Sequence, residues 1–449
     1  MSHPPTDTDP RITPSVYLTE DIPPIGGVLK QRPEDFVVEE LPLYQPCGEG
    51  EHIYLMVEKR GLPAMELNRE LARHFGVPLS ALGYAGLKDR QAVTRQVISI
   101  HTPGRTIEDF PSLRHESISV LWADQHTNKL RRGHLAGNRF SIRVRGVEPH
   151  AVLTAKRVLD RLRVTGVPDR FGEQRFGYLR NNHLIGRALL VREHERAAAL
   201  LLGPSGRAPE RQRQAREAFA RGELREAARA MPKRFRTERV VCEALAAGET
   251  AEQAFDHVER GVLGYYVSAF QSAVFNRVLD DRVAAGRLAV FTPGDVAMFH
   301  AGRAMFDVDE VTLNDPETTR RLGAFEISPS GPMWGPRMRR ASGEVDRAEA
   351  EALEAMGLTP ADLEAGQELD AEMIGGTRRP LRVPVENVQV EGGTDEHGPY
   401  VRCAFDLPRG AFATVVMGEI MKSDRLDPAA GGPAASPAPS EAADTEEWE

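Results

Sequence analysis

The chain alternates between two periodicities. Residues 52–58 (HIYLMVE) and 95–101 (RQVISIH) are short, apolar, β-branched runs that predict strands. Between them, residues 64–75 place Leu67, Leu71 and Phe75 at helical spacing, and Gly76 follows as a C-terminal cap. Residues 139–145 (RFSIRVR) alternate cleanly, with Phe140, Ile142 and Val144 on one face and Arg139, Ser141, Arg143 and Arg145 on the other. Such a strand buries one face and offers a row of arginines on the other. An amphipathic helix is predicted over about 150–163, phased by Val152, Lys156, Leu159 and Leu162 and stopped by Gly166 and Pro168.

Further along, residues 206–240 are Arg/Ala/Glu-rich and helical in propensity, and 262–280 reads as a buried helix. An acidic block over 346–372 is again helical, broken by Gly357 and Pro360. Val401, Cys403 and Phe405 alternate in a last strand, followed by a helix over about 411–422. Strands at both ends of a mostly helical middle predict an α+β domain interrupted by an inserted helical one. Residues 1–20 are expected to form a flexible leader. Residues 426–449, rich in Pro, Ala, Gly, Ser and acids, are expected to stay disordered, having too little apolar surface to bury.

Composition narrows the class. The 449 residues suggest two or three domains at roughly 150 each. With 41% hydrophobic and 27% charged residues the chain reads as a soluble globular protein. No apolar run approaches the ~20 residues of a membrane span, and the first residues lack the basic and apolar regions of a signal peptide. The expected setting is therefore the cytoplasm, with no membrane association and no obligate protein partner in evidence. Cys47, Cys242 and Cys403 are isolated, and no histidine run has metal-ligand spacing, so neither a disulfide framework nor a metal site is expected. The net charge of −9 argues against a nucleic-acid partner until its distribution is seen. From Asp427 onward the tail carries six acids and no base, whereas Lys129–Arg145 carries six bases and no acid. A local basic patch on a mildly acidic chain suits RNA.

Four segments carry candidate chemistry. Gly83–Gln96 (GYAGLKDRQAVTRQ) sets Asp89 at a turn between Lys88 and Arg90, cations that favour an ionised carboxylate fit to act as nucleophile or base. Asp is equally common as a plain turn cap. His126–Arg145 joins its bases to Asn138, whose amide can read a base edge, and to Phe140, which offers either a stacking face or a core residue. Val167–Gly177 (VPDRFGEQRFG) interleaves arginines with aromatics and glycines, and Leu29–Glu40 (LKQRPEDFVVEE) leads into a strand at Phe36.

In order and wording these segments resemble the TruD family of tRNA pseudouridine synthases, from about Gly26 to Ile420. The resemblance rests on K-x-x-P-E-D-F-x-V-x-E at 30–40, A-G-x-K-D-R-x-A-V-T-x-Q at 85–96, K-L-x-x-G-x-L-x-G-N-x-F at 129–140 and F-G-x-Q-R-F-G at 171–177. Ser272, Ala273, Phe275 and Asn276, Gly331 with Trp334–Gly335, and L-P-x-G-x-F-A-T at 407–414 extend it. It implies that Asp89 is the catalytic carboxylate. Lys30 and Lys88 would be its accompanying lysines, and Asn138 and Phe140 would line the target pocket. Arg90, Arg143, Arg145, Phe171, Gln174 and Arg175 complete the residues expected to meet RNA. The implied fold is a catalytic domain with a mixed, largely antiparallel sheet, residues 21–165 with 384–425, interrupted by a mainly helical insertion over 166–383. The implied reaction is isomerisation of a uridine in tRNA, at position 13, without metal or cofactor.

The chain departs from the family pattern at Asp169 and Arg170, where an amide and an aromatic are usual, at Gly418, and in an enlarged 204–236. Two rival readings stand beside the enzyme: a non-catalytic RNA-binding protein, and a glycosidase-like enzyme drawing a second carboxylate from Glu34, Asp35, Glu39 or Glu40.

Overall fold

A computed structural model describes residues 16–365 and 375–423, which divide into two units. The first holds Thr19–Val167 and the described residues from Val383 onward; the second is built from Pro168–Arg382 with residues 16–18. The acidic tail lies outside the described residues, as do 366–372 of the expected acidic helix.

The first unit is organised on an eight-stranded sheet. Its strands are β1 (Phe36–Pro42), β2 (His52–Arg60), β3 (Leu82–Tyr84), β4 (Val93–His101), β5 (Ile118–His126), β6 (Leu135–Arg145), β7 (Glu386–Asp395) and β8 (Gly398–Pro408). Their order is β7-β8-β6-β1-β4-β2-β5, with β3 paired on β4. Only β1 and β4 run parallel among the registered pairs; the rest are antiparallel. The sheet is thus mixed and largely antiparallel, as the α+β reading expects.

Helix α1 (Ala64–Phe75) forms where the helical spacing predicts it and ends at Gly76, whose φ of 64° is left-handed. Its Leu67, Leu71 and Phe75 pack on Ile53, Leu55, Val57, Ile98 and Ile100. Each such side chain contributes about 1.5–3 kcal/mol when fully buried. Tyr54, Met56 and Val97 point the other way and pack with Ala85, Leu130 and Leu135. Strand β2 is buried along nearly its whole length because it is covered on both faces, hence its unbroken apolar run. Helices α2 (Val152–Thr165) and α3 (Ala413–Met421) complete this unit.

The expected leader ends sooner than residue 20. Thr19 is fully buried, and both its amide and its hydroxyl donate to the Glu419 carboxylate, at 3.0 and 2.7 Å. Strand β5 has no counterpart in the sequence reading, because its solvent-facing Ser119, Val120 and Leu121 blur the alternation.

The second unit centres on the helix Arg260–Ala284, longer than the predicted 262–280. Its early residues Val262 and Tyr266 join one apolar cluster of short helices. Its later residues Phe270, Val274 and Phe275 join another that contains Trp334. The stretch 206–240 is three helices, broken at Gly222 and Pro232. The acidic segment splits into Gly343–Ala355 and Pro360–Ala365, with Gly357 at φ 85° between them. A four-stranded sheet ordered Thr377–Pro380, Ile327–Met333, Val296–Phe299, Met305–Asp307 lies among the helices. No helix among the described residues is long and apolar enough to cross a membrane.

Candidate active site

Asp89 lies in the loop that joins β3 to β4. Three backbone contacts hold that loop: Gly133 N–H donates to Ala85 at 2.9 Å, Gly61 N–H donates to Ala92 at 3.3 Å, and Lys59 Nζ donates to the Asp89 carbonyl at 2.6 Å. Gly83 at the loop's entry is required sterically. A Cβ there would stand 2.2 Å from the Leu130 carbonyl and 2.5 Å from Ser99 Oγ. The same necessity operates at Gly137, whose Cβ would meet the Leu407 carbonyl at 2.2 Å, and it lets Asn138 come down beside β8.

The carboxylate of Asp89 is 46% exposed, while its partner Lys30 is buried, with Nζ 3.0 Å from Oδ2. Among the described residues nothing bonds Oδ1. The carboxylate therefore has one oxygen fixed by a cation and one open. Lys30 itself has φ 54°, a left-handed conformation that a side chain with a Cβ adopts at some strain. The segment before it is tied to β6 by reciprocal backbone bonds between Val28 and Arg145, both 3.0 Å. The Lys30 ammonium also sits 4.6 Å from the centre of the Phe36 ring.

Of the cations expected beside Asp89, Lys30 is there, and the expectation for Lys88 and Arg90 is corrected. Its cation is Lys30, whereas Lys88 turns away to Asn138 Oδ1 at 2.6 Å and Glu40 at 3.2 Å. Arg90 is exposed and has no part in fixing the carboxylate. Glu40 and Asn138 are direct cross-strand neighbours on β1 and β6, so one ammonium reaches both. Burial pushes the Glu40 carboxyl up from its ordinary range, against the pull of Lys88.

Phe140 is in the core rather than on an open stacking face. Its ring packs between Phe36 and Phe405, with centroids 6.4 and 5.7 Å away. Phe140 thus braces the ring on which Lys30 rests.

The arginine row of β6 is a second correction. Arg145 is 2% exposed and pairs with Asp35 at 2.7 Å and Asp395 at 2.6 Å, so it cannot meet a phosphate. Its hydrogen bond to Asp395 pulls that carboxyl down to about 2. Arg139 makes a two-pronged pair with Asp406, both bonds 2.9 Å. Arg143 is half-buried, 3.6 Å from Asp395 and over the Tyr400 ring. The alternation is real, but Asp35, Asp395 and Asp406 pair with the arginines of the row.

Phe171, Gln174 and Arg175 belong to the second unit. Asn276 clamps the Phe171 backbone through two 3.0 Å bonds, which buries the ring against Phe275. Gln174 is exposed, and its carbonyl accepts from Tyr265. Arg175 is bonded to Ser268 and Ser272 and lies over the rings of Phe171 and Tyr265. The unusual Asp169 and Arg170 are buried and pair with Arg379 and Asp280, so these charges serve packing within the unit.

Lys59 escaped the sequence reading, and Glu40 entered it only as a rival reading's second carboxylate. Lys59 shares a face of β2 with Leu55 and Val57, and Glu40 shares one of β1 with Phe36 and Val38. A charged residue in the phase of buried positions was the available signal. Lys59 is fully buried, and burial lowers its ammonium to about 8. Among the described residues no group of three or more His, Cys, Asp or Glu is placed to hold a metal ion.

The chain is similar to known proteins. The family model for tRNA pseudouridine synthase D (TruD) matches residues 13–420. A protein of Syntrophotalea carbinolica named tRNA pseudouridine synthase D is 42% identical over 410 residues, covering 91% of this chain and 99% of its own. One of the same name from Geobacter sulfurreducens is 43% identical over 410 residues, covering 91% of this chain and 97% of its own. The crystal structure of a putative tRNA pseudouridine synthase D from Methanosarcina mazei superposes with a TM-score of 0.80 at 27% identity, covering 93% of this chain and 99% of that one.

Proposed function

The chain belongs to the TruD family, whose members isomerise a uridine in tRNA to pseudouridine, and from that premise we propose that Asp89 is the carboxylate with which it acts. The observation that carries the assignment is the asymmetric carboxylate, with Oδ2 held by buried Lys30 and Oδ1 open on the exposed side.

The reaction breaks the bond from C1′ to N1, turns the uracil and rejoins C1′ to C5, from which a proton leaves while N1 gains one. Nothing is oxidised and no group is transferred. A carboxylate can promote this by attacking C1′ or by removing a sugar proton. Both routes use a free anionic oxygen, and Oδ1 is that atom. Lys30 fixes the carboxylate through Oδ2, leaving Oδ1 open. Lys59 holds the same residue from below through its carbonyl. The target nucleotide leaves the helical stack to reach the loop, which costs a few kcal/mol. Cationic groups such as Arg143 and Arg90 offset this by meeting phosphates. The target is uridine 13 of tRNA, the enzyme needs neither metal nor cofactor, and it works in the cytoplasm.

Transcribed tRNA labelled with tritium at uracil C5 tests the proposal. Label should be released to water, and mapping of the product should find pseudouridine at position 13 and none in a transcript carrying cytidine there. Release without modification at 13 would move the target; no release would remove the activity.

A further inference from the structure

The Asn138 carboxamide has a fixed direction. Its neighbour Lys88 is an ammonium, a donor with no acceptor capacity, and its Nζ stands 2.6 Å from Asn138 Oδ1. Turning the amide over would set NH2 against NH3+, so the oxygen must face the lysine. Lys88 cannot swing aside cheaply, because its side chain is 8% exposed and its charge is countered by Glu40, 1% exposed, at 3.2 Å. The consequence falls on the other end of the amide. Asn138 Nδ2 has no partner among the described residues, and the side chain is only half-buried, beside the loop that carries Asp89.

We infer that Glu40 and Lys88 act as positioning residues that present the Asn138 NH2 to the flipped base, where it donates to a uracil carbonyl oxygen. This rests on the reading that the Asp89 loop receives the target uridine. A site built around a fixed donor rejects a base that offers a donor in return, since two buried polar groups are then left unpaired. Cytosine carries an amino group where uracil carries its 4-carbonyl, so contact at that oxygen selects uracil. Contact at the 2-carbonyl, common to both bases, orients the ring without that selection.

Single-turnover rates on transcripts with uridine, 4-thiouridine or 2-thiouridine at the target separate these two oxygens, because sulfur is a poor acceptor. The wild-type enzyme should slow tenfold or more on one thio-substrate. Asn138→Asp keeps the pair with Lys88 but cannot donate; it should slow about a hundredfold on uridine with tRNA affinity within a few-fold. That variant should lose nothing further on the same thio-substrate, since both changes remove one contact. Lys88→Gln, whose amide can accept as well as donate, frees Asn138 to turn over and should flatten the oxygen-to-sulfur ratio. Asn138→Ala, which has no donor, serves if Asn138→Asp melts early. Equal wild-type rates on all three substrates, or penalties that multiply fully in the double perturbation, would overturn the inference. Should Asp89→Asn prove active, it is the underlying site reading that fails instead.

Discussion

Replacing Lys59 by Met separates stability from catalysis. The ammonium is fully buried, and its displacement from an ordinary value of 10.5 to about 8 makes the charged form costly in the folded protein, by about 3 kcal/mol. Met removes that cost and fills similar space. It also removes the bond to the Asp89 carbonyl, worth about 1.5–3 kcal/mol for a charged donor. The two nearly cancel, so the melting temperature should stay within about 3 °C at pH 7. The pH dependence carries a sign. Below about pH 8 both folded and unfolded Lys59 are protonated and the penalty is fully present. Between there and 10.5 the folded group sheds its proton first, so wild-type stability gains relative to the Met variant as pH rises, and above 10.5 the difference is level. Catalysis should suffer where stability does not. Untethering the residue that carries the reactive carboxylate by even about 1 Å can cost a hundredfold in rate. Denaturation from pH 7 to 10.5, run beside tritium release at pH 7, reads both. A loss of ten degrees or more with unchanged turnover would show that Lys59 serves the fold alone.

The other predictions follow from burial and charge. Arg145→Ala strands Asp35 and Asp395 and should cost about 3–5 kcal/mol of stability, leaving the salt dependence of tRNA binding unchanged; a slope reduced by about one per lost phosphate contact would put Arg145 back on the RNA. Deleting residues from Asp427 onward should alter neither melting nor turnover, because the segment is acidic and low in complexity; a drop of many degrees would mark it as ordered. Activity should persist in EDTA and with serine at Cys47, Cys242 and Cys403, apart from modest packing losses at the two buried positions. Loss to a chelator that added metal restores would refute the cofactor-free route.

What the sequence made legible was local. The spacing of Leu67, Leu71 and Phe75 gave α1 to the residue, and the alternation around Phe140 and Ile142 gave β6 its two faces. Pairing across the sheet was not legible, since periodicity says which way Arg145 points but not that Asp35 and Asp395 wait there. For the same reason the residues alone put Lys88 and Arg90 beside Asp89, and only the family resemblance added Lys30. Adjacent residues diverge in an extended loop, and Lys30, distant in sequence, comes back through the Val28–Arg145 bridge to take that place. Motif order supplied the candidate residues, while their wiring depends on the register of β1 against β6.

The central claim is that an open carboxylate oxygen on Asp89 does the chemistry. Asp89→Asn keeps the size of the side chain and its capacity to cap the turn but removes the charge. Binding, melting and pseudouridine formation measured on one preparation decide the matter. The predicted result is tRNA affinity within about tenfold, roughly 1.4 kcal/mol, an unchanged melting temperature and turnover below detection. Substantial residual turnover, with any loss appearing in stability instead, would contradict it.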